Sequence, residues 1–149
     1  MPIKQTLYQQ CLDFIERRFL AVCKLISEIE ESLTSETKSS AGDKHETGRA
    51  MLQLEREKAG QQLAEVVKTK QILLKINLDN IPKHIGLGSL VYTSQANYFI
   101  AISAGQLTAN NDTFFAISAN TPIGQLLLGK QVGDEVIFRN KSFKIIRLL

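Results

Sequence analysis

Residues 8–33 read YQQCLDFIERRFLAVCKLISEIEESL, and apolar side chains recur in this stretch at alternating spacings of four and three residues. The series comprises Tyr8, Leu12, Ile15, Phe19, Val22, Ile26, Ile29 and Leu33. A spacing that averages 3.5 residues predicts a long helix with one apolar seam of the coiled-coil type. The seam does not identify its partner, because a second helix of the same chain and a second copy of the chain both satisfy the pattern.

A second segment supplies a partner within the chain. Its apolar residues follow the same register, namely Leu52, Ala59, Leu63, Val66 and Leu73. Arg56 and Lys70 interrupt that register. We therefore predict an antiparallel coiled-coil hairpin made of two helices, from about Pro2 to Ser35 and from about Asp43 to Lys75. At 1.5 Å per residue the second helix would be ~50 Å long.

Composition narrows the class of protein. Of 149 residues, 44% are apolar and 22% are charged, which excludes a disordered chain and a membrane-spanning one. The net charge of +3 is too small to indicate nucleic-acid binding by itself. The first ten residues, MPIKQTLYQQ, lack the apolar segment of a secretory signal, so we expect a cytoplasmic protein with no membrane contact.

Two cysteines lie on the first predicted helix. Cys11 and Cys23 are twelve residues apart, or ~18 Å along a helix axis, which prevents a disulfide between them within that helix. We interpret both as buried thiols. With His45 and His84 as the histidines of the chain, a zinc-type cluster is not expected.

The pattern changes in the second half of the chain. Residues 1–77 carry 12 basic and 11 acidic side chains, whereas residues 78–149 carry 6 and 4, and Asn80-Ile81-Pro82 breaks the helical pattern. We predict a hairpin domain over residues 1–77, with its tip at about 36–48, and a globular domain over residues 78–149. Runs rich in Val, Ile, Phe and Tyr predict five strands, at 89–93, 97–103, 113–118, 135–139 and 142–148.

The predicted fold class is α+β, with the helical hairpin followed by one antiparallel sheet and one short helix. Thr121 as the cap and Pro122 as the first residue predict the short helix, and Gly129 ends it. Asn140-Lys141 predicts a tight turn between the last two strands. The apolar residues expected in the core are Phe114, Leu126, Leu127, Leu128, Phe138 and Phe143.

Two acids, Asp43 and Glu46, lie at the turn of the predicted hairpin. Three residues apart at a helix start, they lie on one face and both can point at one ion. A second interpretation is a capping box, in which Asp43 caps the helix and the Glu46 side chain accepts a hydrogen bond from the backbone N–H of Asp43. The two roles are compatible, because a capping carboxylate keeps free lone pairs.

Two stretches resemble one protein family. The first is TPIGQLLLGKQVGDEV, residues 121–136, followed by the strand pair IFRNKSFKIIRLL. It resembles the closing segment of the bacterial Gre transcript-cleavage factors (the GreA/GreB family), where Ser-Pro-Ile/Leu-Gly-x-Ala-Leu-Leu-Gly-Lys precedes Gly-Asp-x-Val in a domain of FKBP-like fold. The second is Gly42-Asp43-Lys44-His45-Glu46, which is similar to the family's Gly-Asp-x-x-Glu at the hairpin turn.

The resemblance implies a monomeric transcription elongation factor that binds RNA polymerase and inserts its hairpin into the secondary channel. There Asp43 and Glu46 would help to hold a Mg²⁺ ion of the polymerase active site, so that the polymerase cleaves the extruded 3′ end of a backtracked RNA. The resemblance implies no bound cofactor and no enzyme activity for the factor alone. Thr121, Pro122 and Ile123 match the family's loop that docks on the polymerase.

The chain departs from the family after the acids. Where the family continues Glu-Asn-Ala-Glu-Tyr, this chain has Glu46-Thr47-Gly48-Arg49-Ala50. The change leaves Lys38, Lys44, His45 and Arg49 around the turn, and we predict that they contact RNA phosphates. A solvated charged turn is the competing interpretation for each of them.

Three other functions remain open at this point. The altered stretch after Glu46 is compatible with a non-cleaving regulator that occupies the channel and inhibits or retunes the polymerase. A coiled-coil adaptor unrelated to transcription would follow if the C-terminal match were accidental. FKBP-like folds also include prolyl isomerases, but those need an aromatic-lined pocket, and this chain has no Trp.

Overall fold

The computed structural model describes the backbone of residues 2–38 and 43–149, and the side chains of residues 2–35 and 47–149. The described chain begins with two long helices, α1 (Ile3–Lys38) and α2 (Asp43–Leu74). It divides into two compact units, Ile15–Thr69 on its own and Met1–Phe14 together with Lys70–Leu149. The domain division predicted from the sequence, residues 1–77 and 78–149, stays a prediction.

The unit Ile15–Thr69 is a helical hairpin. Ile26 and Ile29 of α1 are buried together with Ala59 of α2. Three partly buried side chains pack around them, namely Val22, Leu33 and Leu63. Glu30 of α1 contacts Arg56 of α2, and Leu33, later in α1, contacts Arg49, earlier in α2. The two helices are therefore antiparallel, as predicted from the seam.

The first turns of α1 bury a different face from the predicted one. Leu7 and Cys11 are 0% exposed, whereas the seam residues Tyr8 and Leu12 are half-buried. This part of α1 belongs to the unit that contains the sheet. A straight helix drifts ~20° per heptad relative to a 3.5-residue repeat, so the contact face changes along 36 residues when the packing partner changes.

The other unit contains a sheet of six strands, all of which lie within the described residues 43–149. Its strands in chain order are β1 (Leu90–Thr93), β2 (Asn97–Ala101), β3 (Gly105–Ala109), β4 (Asp112–Ser118), β5 (Glu135–Phe138) and β6 (Lys141–Leu148). Their spatial order is β3-β4-β2-β1-β6-β5. The short helix α3 (Pro122–Leu127) lies between β4 and β5 in the sequence, as predicted.

The α+β class is confirmed, but the sheet is mixed and not purely antiparallel. Strand β2 pairs with β4 in parallel, with Tyr98 opposite Phe115. The prediction missed β3, because Gly105–Ala109 contains Leu107 as its one large apolar side chain. The chain reverses between β2 and β3 and again between β3 and β4, so β4 returns in the direction of β2.

Both faces of the sheet carry buried side chains. One core joins α3 to the strands, with Leu127, Val136, Phe143 and Ile145 among its members. Lys4 Nζ donates to the Asn80 carbonyl (3.2 Å) and Gln10 Nε2 donates to the Thr108 carbonyl (2.9 Å), which ties the start of α1 to this unit. No helix in the described part of the chain is both long and apolar enough to cross a bilayer.

The turn between β5 and β6 differs by one residue from the prediction. Its two central residues are Arg139 (φ 52°) and Asn140 (φ 64°), whereas Lys141 already belongs to β6. The β3–β4 turn has the same form, with φ of 52° and 64° at Asn110 and Asn111. Positive φ at both central positions is typical of the two-residue turn that suits the twist of a β-hairpin.

Candidate functional site

The predicted tip residues lie at the start of α2 and the end of α1. Helix α2 begins at Asp43, so the backbone of Asp43 and Glu46 is helical. The side chains of both acids, and those of Lys38, Lys44 and His45, lie outside the described residues. Their predicted roles toward Mg²⁺ and RNA therefore stay predictions.

Arg49 is the one predicted RNA ligand whose side chain is described. It is half-buried, and its Nη1 donates to the backbone carbonyl of Leu33 on the facing helix (3.1 Å). The structure thus gives this guanidinium a partner inside the hairpin. Its predicted contact with RNA stays a prediction.

Arg56 makes a second contact between the helices. Its Nε lies 3.1 Å from Oε1 of Glu30. The guanidinium also lies close to Gly60, where an added Cβ would be 3.2 Å from Arg56 Nη1. From the sequence, Arg56 was interpreted only as an interruption of the apolar seam, and its contact with α1 was not predicted. The signal for a cross-helix role was its spacing of seven residues from Arg49, because that spacing places both arginines at one heptad position.

The second predicted site is the N-terminus of α3. Thr121 has an extended backbone (φ −71°, ψ 156°), and its Oγ1 accepts a hydrogen bond from the Gly124 amide (3.1 Å). The same hydroxyl donates to the Ser118 carbonyl (2.8 Å). Thr121 is therefore the helix cap that the sequence predicted, followed by Pro122 in the first turn.

The motif residues after the cap have different surroundings. Ile123 packs against the core of the sheet. Gly124 is buried so tightly that an added Cβ would lie 2.5 Å from the Ser118 carbonyl oxygen. Pro122 is exposed. Of the three predicted partner contacts, Pro122 presents the most accessible side chain, while Thr121 and Ile123 have structural contacts of their own.

Three of the six predicted core residues are buried, and one is exposed. Phe114, Leu127 and Phe143 are buried, and Leu128 and Phe138 are half-buried. Leu126, in contrast, is 39% exposed. Successive helical residues point about 100° apart, so the α3 face that buries Leu127 leaves Leu126 toward solvent. Leu126 follows Pro122 by four residues and lies on the same helix face.

The cysteines and histidines form no metal site in the described chain. Among the described residues, no three His, Cys, Asp or Glu side chains come together. Both cysteines are free. Burial raises the pKa of the Cys11 thiol to about 12, so this cysteine is the unreactive buried thiol expected from the sequence. Cys23 differs from that expectation because it is half-buried.

A depression in the sheet unit is lined by Ser94, Glu135, Ser142, Phe143 and Lys144. Phe143 is the single aromatic residue of that lining, and the other four side chains are polar. An isomerase pocket for proline needs an aromatic wall. This depression therefore gives no support to the prolyl isomerase alternative.

Comparisons with known proteins give similar solved structures. No family model matches the chain, and no curated protein matches it. One similar structure is that of the transcription factor Gfh1, at 19% identity and a TM-score of 0.35, covering 88% of this chain and 92% of the other. Another is the crystal structure of the GreA factor homolog 1 (Gfh1) protein of Thermus thermophilus, with the same identity and TM-score, covering 88% and 94%. At this TM-score the likeness carries no argument about function.

Proposed function

We propose that this chain is a Gre-type transcription elongation factor that binds RNA polymerase. In this proposal the helical hairpin enters the secondary channel and stimulates Mg²⁺-dependent cleavage of a backtracked RNA by the polymerase. The observation that supports the proposal is that one chain contains two motifs that resemble those of the family, one at the start of the second hairpin helix and one at α3. Asp43 and Glu46 lie in the first turn of the second hairpin helix, and TPIGQLLLGK forms the capped helix α3.

The chemistry of the reaction accounts for the two acids. Mg²⁺ prefers hard oxygen ligands and keeps several waters, so one or two carboxylates are a sufficient donor set. When bound, the ion would activate water and offset charge at the scissile phosphate. Asp43 and Glu46 would hold it together with groups of the polymerase, next to the extruded 3′ end of the RNA. The factor would then be no enzyme by itself.

The α3 motif supplies the proposed docking contact. Thr121 caps the helix and Ile123 is anchored in the core, so the exposed ring of Pro122 is held in a fixed position. A rigid apolar side chain loses little conformational entropy on binding. Thr121, Pro122 and Ile123 would thus form a preorganised contact for the polymerase, with Pro122 touching the partner directly.

A non-cleaving regulator of the same architecture is the second candidate. The observation that favours it is Arg49, which stands where the family has a further acid and donates to the Leu33 carbonyl. The positive charge of Arg49 near the start of α2 would weaken the binding of Mg²⁺ by Asp43 and Glu46. Such a regulator would occupy the channel and inhibit or retune the polymerase without RNA hydrolysis.

Replacing the acids by their amides separates the two candidates. Asp43→Asn and Glu46→Gln remove charge with little change of shape, so each should depress stimulated RNA cleavage while polymerase binding is kept. Cleavage of labelled RNA in a stalled, backtracked elongation complex measures the first quantity, and co-purification measures the second. The defect should shrink as Mg²⁺ is raised, because mass action offsets weaker ligand affinity.

Asp43→Asn also tests the capping interpretation. Asn is as good a helix cap as Asp, and at the first helical residue of α2 loss of the charge costs only about 0.3–1 kcal/mol, so a purely structural role predicts a small change in stability and none in cleavage. A cleavage defect without loss of helix stability therefore supports metal binding. If the unmodified protein binds polymerase but produces no cleavage at high Mg²⁺, the cleavage factor is rejected in favour of the regulator.

A further inference from the structure

Two arginines of α2 contact α1 from the same heptad position. Arg49 Nη1 donates to the Leu33 carbonyl (3.1 Å), and Arg56 Nε contacts Glu30 Oε1 (3.1 Å). The contact of Arg49 lies six residues from the first residue of α2, or ~9 Å along its axis. Arg49 therefore joins the helices close to the start of α2.

The apolar contacts of the hairpin are weakly specific for register. Ile26 and Ile29 pack against Ala59, which is small, and apolar contacts are not directional. A hydrogen bond from a guanidinium to one backbone carbonyl is directional, because its donors have fixed geometry and its strength falls steeply when the angle is lost. Polar residues at seam positions of coiled coils specify register in the same way.

We propose that Arg49 is a positioning residue that fixes the register of the two helices near the start of α2. It thereby sets where the start of α2, with Asp43 and Glu46, is held. This step rests on the proposed function, since the acids matter only if they act at the polymerase centre. Arg49 thus acts inside the hairpin, in place of the phosphate contact predicted from the sequence.

The register is measured on the free protein. Spin labels at Ser35→Cys and Met51→Cys sit on exposed positions near the end of α1 and the start of α2. The background is Cys23→Ser, and Cys11 is spared because its thiol is fully buried. In this background Arg49→Met should broaden or shift the distance distribution between the two labels, with helical content unchanged.

Arg56→Met is the matched control. It also removes an arginine from the same heptad position, one repeat farther from the start of α2. Its ion pair with Glu30 is exposed, at 39% and 58% for the two side chains, and exposed pairs contribute little, so the distance distribution of this variant should match that of the parent. An unchanged distribution for Arg49→Met overturns the proposal, and so does equal broadening in both variants, which would show general loosening of the hairpin.

Cleavage in the backtracked complex gives the functional measurement. Arg49→Met should raise the Mg²⁺ concentration for half-maximal cleavage by about tenfold, the order found for groups that orient metal ligands. The salt dependence of the affinity of this variant for the backtracked elongation complex should not change. A lost phosphate contact would instead lower that salt slope by about one, and this result would overturn the positioning role.

The two proposals fail in different ways. If the unmodified protein stimulates no cleavage, the proposed function fails, and the label distances still decide whether Arg49 fixes the register. If cleavage is stimulated but the distances of the Arg49→Met variant match those of the parent, the function stands and the positioning role is wrong.

Discussion

At the scale of single residues, the surroundings of Gly124 explain why the α3 motif contains a glycine. Its φ is not positive, so conformational freedom is not the reason for glycine here. The reason is space, because an added Cβ would lie 2.5 Å from the Ser118 carbonyl oxygen and 2.8 Å from Thr121 Oγ1. The motif thus combines a cap, a helix-starting proline, a core anchor and a close backbone contact in four consecutive residues.

Gly124→Ala should destabilise the protein despite the better helix propensity of alanine. Propensity favours Ala by about 1 kcal/mol, whereas overpacking costs about 1–3 kcal/mol and the opposing atoms are partly backbone. We expect a net decrease in the free energy of unfolding, measured by urea denaturation. Gly86→Ala is the control, because an added Cβ there meets nothing within 4 Å and its φ is not positive. Equal stability of the two variants would contradict this account.

Pro122→Glu should weaken the binding of RNA polymerase without unfolding α3. The side chain is exposed, and a negative charge in the first turn of a helix is favourable to its stability. Val132→Glu adds the same charge at an exposed apolar position outside α3 and serves as the control. Undiminished co-purification of Pro122→Glu with polymerase would remove Pro122 from the proposed docking contact.

At the scale of elements, the β5–β6 hairpin contains an unfavourable turn residue. Arg139 adopts φ 52°, and the left-handed region costs about 1–2 kcal/mol for residues other than Gly, Asn and Asp. Its guanidinium lies 5.0 Å from the centroid of the Phe138 ring, a contact worth about 0.5–1 kcal/mol at an exposed site. The conformational penalty is the larger of the two quantities.

Arg139→Asn should therefore stabilise the protein by up to about 1.5 kcal/mol, the difference between the penalty and the lost ring contact. The change in urea midpoint at constant m-value measures this effect. The reciprocal variant is Asn110→Arg in the β3–β4 turn, where φ is also 52°, and it should destabilise the protein. A stabilised Asn110→Arg variant would refute the argument.

At the scale of the whole molecule, the start of α1 belongs to the compact unit that contains the sheet. Leu7 is fully buried in that unit, and Ile29 is buried in the hairpin unit. Truncating either side chain to Ala should cost about 2–5 kcal/mol. Because cooperative units open separately, each substitution should speed amide exchange mainly within its own unit.

Hydrogen exchange of Leu7→Ala and Ile29→Ala thus tests the organisation of the chain. We expect Leu7→Ala to accelerate exchange in β1, β2 and β4, and Ile29→Ala to accelerate it in residues 22–33 and 52–63. The division predicted from the sequence places Leu7 with the hairpin. It would be supported if Leu7→Ala instead accelerated exchange in the hairpin and left the strands protected.

Local sequence patterns were sufficient to predict several helices and strands. The seam from Ile15 to Ile29 predicted the paired helices, since a 3.5-residue period places one face against a partner. The runs of branched and aromatic residues predicted five of the strands, and Thr121-Pro122 predicted the start of α3. These signals depend on neighbouring residues, which is why a linear pattern was sufficient.

Contacts between residues far apart in the sequence became evident only in the folded chain. The parallel pairing of β2 with β4, the weakly patterned strand β3 and the burial of Leu7 in place of Tyr8 all depend on partners far away in the sequence. The same holds for the candidate sites. The tight contact of Gly124 with Ser118 and the bond from Arg49 to the Leu33 carbonyl leave no mark in local composition. These contacts form only when folding packs distant segments together, and residue types alone do not specify which segments pack.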